Sequence, residues 1–458
     1  MGQWATYRPE LKAVLALGLP LAGSHVAQVA IGAVDTLMVG WYGVTELAAL
    51  TIAGSVWFVF FLTISGFGWA ATPMVAEASE TGDEQRIRRV TRMAFWLVTL
   101  FGVLALIPLW FSEALMLVLG QEPKVARLAQ DYLRITGFAL IPALWIMVLK
   151  SYLSALEHTG IAFWVTAGAV LPNAALNYVL IFGHFGAPEM GVRGAATATL
   201  TVQLASLAVV VWYALRHFPQ HTLFARIWRS DWPVFGQVFR LGWPIAVTSV
   251  SEVGLFTGAA LLMGLIGTVE LAAHGIAIQI ASLTFVMHLG ISQAATVRAG
   301  RAFGRRSLPD LHRAGHVSVS LSVTMALATM VVFLSLPEPL ISAFLDRDEP
   351  AREAIITIGV TLLAMAALFQ LMDGAQVTAL GLLRGIQDTQ VPMIIAAFSY
   401  WGIGMPVAYV LGITLGWGGV GVWAGLVVGL GIAGVALMLR FWRHVGRKFP
   451  VSAVPDAE

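Results

Sequence analysis

Residues Ala354–Leu383 read AIITIGVTLLAMAALFQLMDGAQVTALGLL, thirty residues with one ionisable group, Asp373. A helix needs about 20 apolar residues to cross the hydrocarbon core of a bilayer, so this stretch reads as a membrane span. A carboxylate in its interior costs about 2.5–3.5 kcal/mol on insertion scales and therefore faces a cavity, an ion or a partner. Two other apolar stretches repeat the situation. Glu252 is the only carboxylate between Arg240 and Glu270, and Asp35 is the only one between Lys12 and Glu46. No Lys or Arg stands in the middle of a span to neutralise them. Three such acids imply a site for protons, metal cations or cationic solutes.

The rest of the chain fits that reading. Of its 458 residues, 58% are hydrophobic and 11% charged, the composition of a membrane protein with room for roughly a dozen spans. A formal net charge of +2 says little, because in a membrane protein the distribution of charge matters more than the sum; no nucleic-acid partner is expected. With no cysteine, disulfides, thiolate metal sites and cysteine nucleophiles are excluded. There is no Gly-rich phosphate loop, zinc-type ligand cluster or nucleophile with a matching base. Neither an enzyme nor a cofactor is expected, and ATP-driven pumping finds no support.

Apolar runs fall near 12–40, 47–76, 91–115, 128–150, 161–184, 190–215, 237–267, 271–298, 314–337, 353–383, 389–412 and 418–440. The short polar N-terminus leads into the first of these, which reads as a span rather than a cleavable signal. With the N-terminus inside, 21 of the 27 Lys and Arg residues fall on the cytoplasmic side, Lys150 and Arg384 among them. The positive-inside rule thus places both termini in the cytoplasm.

An internal repeat is visible by eye. A shift of 224 residues lays Leu17-Gly18-Leu19-Pro20 on Leu241-Gly242-Trp243-Pro244, Gly43 on Gly267, and Glu46-Leu47-Ala48-Ala49 on Glu270-Leu271-Ala272-Ala273. It also lays Gly66 on Gly290 and Ala70-Ala71-Thr72 on Ala294-Ala295-Thr296. Two six-span halves of the same orientation are parallel repeats about an axis normal to the membrane. The expected organisation is an N-terminal lobe over 1–216, a basic cytoplasmic linker over 217–236, a C-terminal lobe over 237–445 and a tail over 446–458. The acids do not repeat: Glu252 falls on Gln28 and Asp35 on Ala259. Each lobe carries its own polar equipment.

These residues carry a resemblance. Ala33-Val34-Asp35-Thr36-Leu37-Met38-Val39-Gly40, Leu171-Pro172-Asn173 through Asn177, and Gly183-His184-Phe185-Gly186-Ala187-Pro188-Glu189 resemble the multidrug and toxic compound extrusion (MATE) transporters, most of all the NorM branch. Ser251-Glu252-Val253, Ala272-Ala273-His274, and Met372-Asp373-Gly374-Ala375-Gln376 through Leu383-Arg384-Gly385 extend it across the second half. The resemblance implies an all-α membrane protein of twelve helices, in two six-helix lobes around a V-shaped central cleft. It also implies efflux of cationic or amphiphilic compounds in exchange for Na⁺ or H⁺. It associates Glu252 and Asp373 with the coupling cation, including Na⁺ as a metal, and a second site with Asp35, Asn173 and Asn177. The chain departs from some relatives at Phe369, where they carry Tyr, so a hydroxyl is missing there. Another branch has an acid where Asn177 stands, which leaves the N-lobe site less charged.

Each candidate has a plainer reading. Asp373 as a neutral hydrogen-bond donor, Glu252 as a helix-pairing group beside Thr248, Ser249 and Ser251, and Asp35 as an interfacial acid are the structural alternatives. Asn173 and Asn177 share one helical face behind Pro172 and either complete a site with Asp35 or pair helices. Phe369 and Phe256 lie one turn from Asp373 and Glu252. An aromatic face beside a carboxylate suits an organic cation, against the alternative of ordinary lipid-facing phenylalanine. Gln28, Gln279, Gln376 and Phe285 are further candidates to line a substrate cleft. His25, His274 and His288 read as packing groups before proton shuttles. Glu46 and Glu270 read as helix caps, and Glu77 as a partner of the basic loop that follows.

The reading is a cation-coupled multidrug antiporter, monomeric by default, in the inner membrane of a prokaryote. A flippase for lipid-linked precursors is the alternative. It would want a cationic cavity for phosphates, where this sequence supplies acids.

Overall fold

A computed structural model describes residues 3–118 and 120–448; the expected tail beyond 448 lies outside the described residues. Among the described residues there are twelve helices long and apolar enough to cross a membrane. They are α1 (Tyr7–Tyr42), α2 (Val44–Glu80), α3 (Glu84–Trp110), α4 (Pro123–Ala155), α5 (Gly160–Phe182) and α6 (Val192–His217). The second half gives α7 (Trp232–Ile266), α8 (Thr268–Gly304), α9 (Leu308–Ser335), α10 (Arg352–Gly385), α11 (Gln390–Thr414) and α12 (Gly418–Arg443). Every apolar run read from the sequence is one of these helices. Most are longer than the run, because helical backbone continues into the polar ends that hydropathy trims.

The repeat is written into the helix boundaries. Tyr42 and Ile266 end α1 and α7, Val44 and Thr268 start α2 and α8, and Glu84 and Leu308 start α3 and α9, each pair 224 residues apart. In the fourth and fifth spans the offset has grown to 230, as at Ala155 and Gly385. Most of the growth lies in the loop after the third span, which runs from Trp110 to Pro123 in one half and from Ser335 to Arg352 in the other. The glutamates that open α2 and α8 match as well. The Glu46 and Glu270 carboxylates fold back over Gly43 and Gly267, the residues just before those helices, where unpaired N–H groups favour a negative charge.

The chain packs as two compact units. One is Gly23–Ala246; the other takes the described residues up to Ala22 and from Val247 onward. Packing thus adds an exchange to the repeat: α1 leaves one unit at Ala22 and α7 leaves the other at Ala246, again 224 residues apart. Pro20 and Pro244 stand two residues before these points, where a missing N–H lets a helix bend. In the unit holding Val247 onward, the first half of α1 buries Val14 and Leu17 against Ala294, Val297 and Val317. Arg298 clamps Glu10 with two hydrogen bonds of 2.8 and 2.6 Å. In the other unit, Val234, Val238, Leu241 and Ile245 of α7 join a core to which α2, α3, α4 and α6 contribute most, and Phe67 stacks between Phe101 and Phe239 at 4.9 and 5.5 Å.

Glycines make both junctions close. A Cβ on Gly290 would lie 2.5 Å from the Gly18 carbonyl oxygen, and one on Gly66 would lie 2.6 Å from that of Gly242. Backbone cannot yield as a flexible side chain does, so Gly290→Ala is expected to destabilise by about 1–3 kcal/mol. The expected result is a melting temperature several degrees lower for the purified protein. Gly275→Ala on the same helix, where nothing lies within 4 Å of the new Cβ, should be neutral or slightly stabilising. Equal melting temperatures for the two variants would show that the Gly18–Gly290 contact is slack.

The segment before α7 is tied to its own unit. Trp96 Nε1 donates to the Ile227 carbonyl at 2.7 Å, and Arg89 forms a two-pronged pair with Asp231. That guanidinium holds the Asp231 carboxyl below the usual aspartate value. Glu77 pairs with Arg86 at 3.3 Å, as the sequence suggested.

Candidate functional site

In the Gly23–Ala246 unit, Asp35 of α1 meets Asn173 and Asn177 of α5. One carboxylate oxygen accepts both amides, from Asn173 Nδ2 at 2.6 Å and Asn177 Nδ2 at 2.5 Å. The i, i+4 spacing makes this possible, since it stacks the two amides one turn apart on one face. Asp35 is 8% exposed and both asparagines 0%. Each amide donates one hydrogen bond to Asp35, and both asparagine Oδ1 atoms are buried without a hydrogen-bond partner among the described residues. One carboxylate and two amide oxygens in a dry setting form a donor set suited to a hard cation or a proton.

The same helix pair carries a second polar contact three turns away. Ser24 and Thr166 meet at 3.1 Å with the 142-residue offset that joins Asp35 to Asn177, so α1 and α5 run parallel in fixed register. Lys150 of α4 donates to both hydroxyls, at 3.1 Å to Ser24 and 2.7 Å to Thr166. Charge counting put this lysine on the cytoplasmic side of the chain; packing gives it hydroxyl acceptors.

In the other unit, Glu252 of α7 and Asp373 of α10 interact electrostatically with each other. Asp373 is 1% exposed. Glu252 Oε1 and Asp373 Oδ1 are buried and have no hydrogen-bond partner among the described residues. Arg384, three turns beyond Asp373 on α10, exerts an attraction on Glu252, yet no described ion pair within 4.0 Å joins it to either acid. Among the described residues neither acid is held in an ion pair. Among the described residues no group of three or more His, Cys, Asp or Glu is placed to hold a metal ion. A metal ion here would need neutral oxygens beside the two carboxylates.

The aromatic candidates divide. Phe369 is 2% exposed and packs edge-on between Phe256 at 5.8 Å and Trp423 at 5.6 Å, so it belongs to the interior and not to a lipid face. Phe256 and Phe285 are half-buried. Gln376, one turn after Asp373, is buried with neither amide atom paired among the described residues, whereas Gln28 and Gln279 are exposed. His288 shares a 3.0 Å hydrogen bond with Ser322, and His274 lies edge-on to Trp423, which suits packing roles for both. Sequence reading missed Gln370, whose amide donates to the Ala281 carbonyl at 2.7 Å and to Thr284, and the tyrosine at position 400.

With this geometry in place, comparison with known proteins is informative. A family model described as MatE matches residues 20–179 and 244–410. The chain is 46% identical over 456 residues to a protein named probable multidrug resistance protein NorM from Rhizobium meliloti (strain 1021), covering 99% of this chain and 96% of that one. It is 34% identical over 441 residues to a protein of the same name from Synechocystis sp., covering 96% of each. Among solved structures, one described as MATE in the bent conformation superposes with a TM-score of 0.87 at 20% identity over 97% of both chains. A second, described as the outward-facing conformation of a multidrug resistance MATE family transporter, gives 0.86 at 19% over 96% of both. At such identities the structures speak to the fold alone.

Proposed function

This chain belongs to the MatE family of multidrug efflux transporters, and on that premise we propose that it is an antiporter that exchanges Na⁺ or H⁺ for cationic or amphiphilic compounds. The observation that carries the reading is the pair of interacting acids, buried Asp373 and half-buried Glu252, each of which keeps a buried oxygen without a hydrogen-bond partner among the described residues. A buried anion without a partner is costly, so the pair attracts positive charge. A coupling cation and a cationic drug compete for the same two groups, and each lowers the occupancy of the other. Exchange follows from that competition, because a ligand shifts an equilibrium only by its differential affinity for the two states. Na⁺ at this site would be held by Glu252 and Asp373 together with neutral oxygens; a proton would be held by either acid.

Asp35 with Asn173 and Asn177 forms a second cation site in the other unit. Phe256, Phe285, Phe369, Gln28, Gln279 and Gln376 remain proposed substrate contacts. We place the protein as a monomer in the inner membrane of a prokaryote with both termini cytoplasmic, and alternating access is performed by the sequence lobes 1–216 and 237–445. The test is accumulation of a fluorescent organic cation in inside-out proteoliposomes under an imposed Na⁺ gradient or an imposed pH gradient. Uptake driven by at least one gradient is expected. Uptake that is no greater with either gradient than with none would overturn the antiporter reading.

A further inference from the structure

Tyr400 lies on α11 in a seven-residue π-helical stretch, Phe398–Gly404. Such insertions are uncommon and concentrate at functional sites, since one extra residue in a turn re-aims the side chains around it. Here the neighbours on the turn are separated sharply. Trp401 is 47% exposed, and its indole donates to the Ser251 carbonyl at 3.1 Å. It also lies against Gly254, where an added Cβ would come within 2.9 Å of the ring. This pins the π-helical stretch to α7 at the residue preceding Glu252. Tyr400 points inward and is 0% exposed.

Its hydroxyl has no hydrogen-bond partner among the described residues, yet it interacts electrostatically with Glu252, Asp373 and Arg384. A tyrosine kept only for packing would be better as phenylalanine, because a buried hydroxyl left unpaired costs roughly 1–3 kcal/mol. Glu252 Oε1, Asp373 Oδ1 and Tyr400 Oη are thus three unpartnered oxygens, delivered by α7, α10 and α11 into the interior of one unit. Phe369, one turn from Asp373, brings no oxygen of its own.

We propose that Tyr400 supplies the neutral third oxygen of the cation site at Glu252 and Asp373. This rests on the antiporter reading above and adds a residue to its site. For a metal cation the hydroxyl is a direct ligand through a lone pair; for a proton carrier it donates to the carboxylate left ionised. Of the other titratable groups nearby, Arg384 on α10 interacts with Glu252 and Tyr400, His288 on α8 lies against Gly374, and His274 on α8 lies edge-on to Trp423.

The test compares wild type, Tyr400→Phe and Asp373→Asn in proteoliposomes, with drug uptake titrated against Na⁺ at fixed pH and against pH without Na⁺. Tyr400→Phe should weaken the half-saturating concentration of the driving cation about tenfold. The half-saturating drug concentration should stay within twofold, and the melting temperature should not fall. A shift in the Na⁺ titration alone identifies a metal ligand, and a shift in the pH titration alone identifies a proton-site donor. If Tyr400→Phe titrates like wild type while Asp373→Asn is inactive, this inference fails and the antiporter reading stands. If Asp373→Asn transports like wild type, the antiporter reading itself fails. Binding adds a readout free of transport: NaCl against choline chloride should raise the melting temperature of wild type more than that of Tyr400→Phe if the ligand is metallic.

Discussion

Asp373→Asn is expected to abolish gradient-driven drug uptake, a fall of at least tenfold to the level of protein-free vesicles, while leaving the melting temperature unchanged or higher. The two effects point in opposite directions for one reason. Asp373 is 1% exposed, with a carboxylate oxygen that finds no partner among the described residues. The folded state therefore carries an uncompensated burial cost that a neutral amide of the same shape reduces. Function needs the charge that stability does not. A site poised to bind is commonly one that weakens the empty fold. Glu252→Gln should behave in the same way, and the double variant should add little to either transport defect, because the two acids act on one ion. Wild-type uptake by both single variants would remove the basis of coupling in this unit. A large fall in melting temperature would instead assign the acids to holding helices together.

The fold was legible because its signals are long and redundant. Twelve apolar runs need no tertiary information, and landmarks such as Gly66 on Gly290 fix the repeat before any helix is placed. What those landmarks cannot say is which glycine meets which. The partners turn out to be Gly18 with Gly290 and Gly66 with Gly242, an exchange of the leading halves of α1 and α7 between the two units that no one-dimensional pattern encodes. The Asp35 cluster was half legible: i, i+4 spacing put Asn173 and Asn177 on one face, and only packing shows that both face the acid. Charge counting registers the sequence position of Lys150, and only packing shows its hydroxyl acceptors Ser24 and Thr166. Tyr400 escaped because a π-helical turn leaves no mark on hydropathy, and one tyrosine among eight carries no signal in its spacing. Phe369 was noticed for the hydroxyl it lacks; the hydroxyl proposed above for the site, that of Tyr400, stands on another helix.

Asp35 allows a sharper separation of charge from structure, because its carboxylate is a hydrogen-bond acceptor whose partners are known. Asp35→Asn keeps an oxygen able to accept from Asn173 Nδ2 and Asn177 Nδ2 and removes the charge. Asp35→Leu removes the acceptor and leaves two buried amides facing hydrocarbon, at about 1–3 kcal/mol for each unsatisfied group. If Asp35 takes part in coupling, Asp35→Asn melts with wild type and loses at least tenfold in uptake, while Asp35→Leu loses both stability and uptake. If the acid only staples α1 to α5, Asp35→Asn transports normally and Asp35→Leu fails through unfolding. Asn177→Asp is the complementary change. It removes one amide donor and sets a second carboxylate against the first in a buried site, where two like charges seldom both ionise. Its uptake is therefore expected to become more dependent on pH than that of wild type. A flat pH profile for Asn177→Asp, together with full activity of Asp35→Asn, would confine this cluster to a structural role and leave coupling to Glu252 and Asp373 alone.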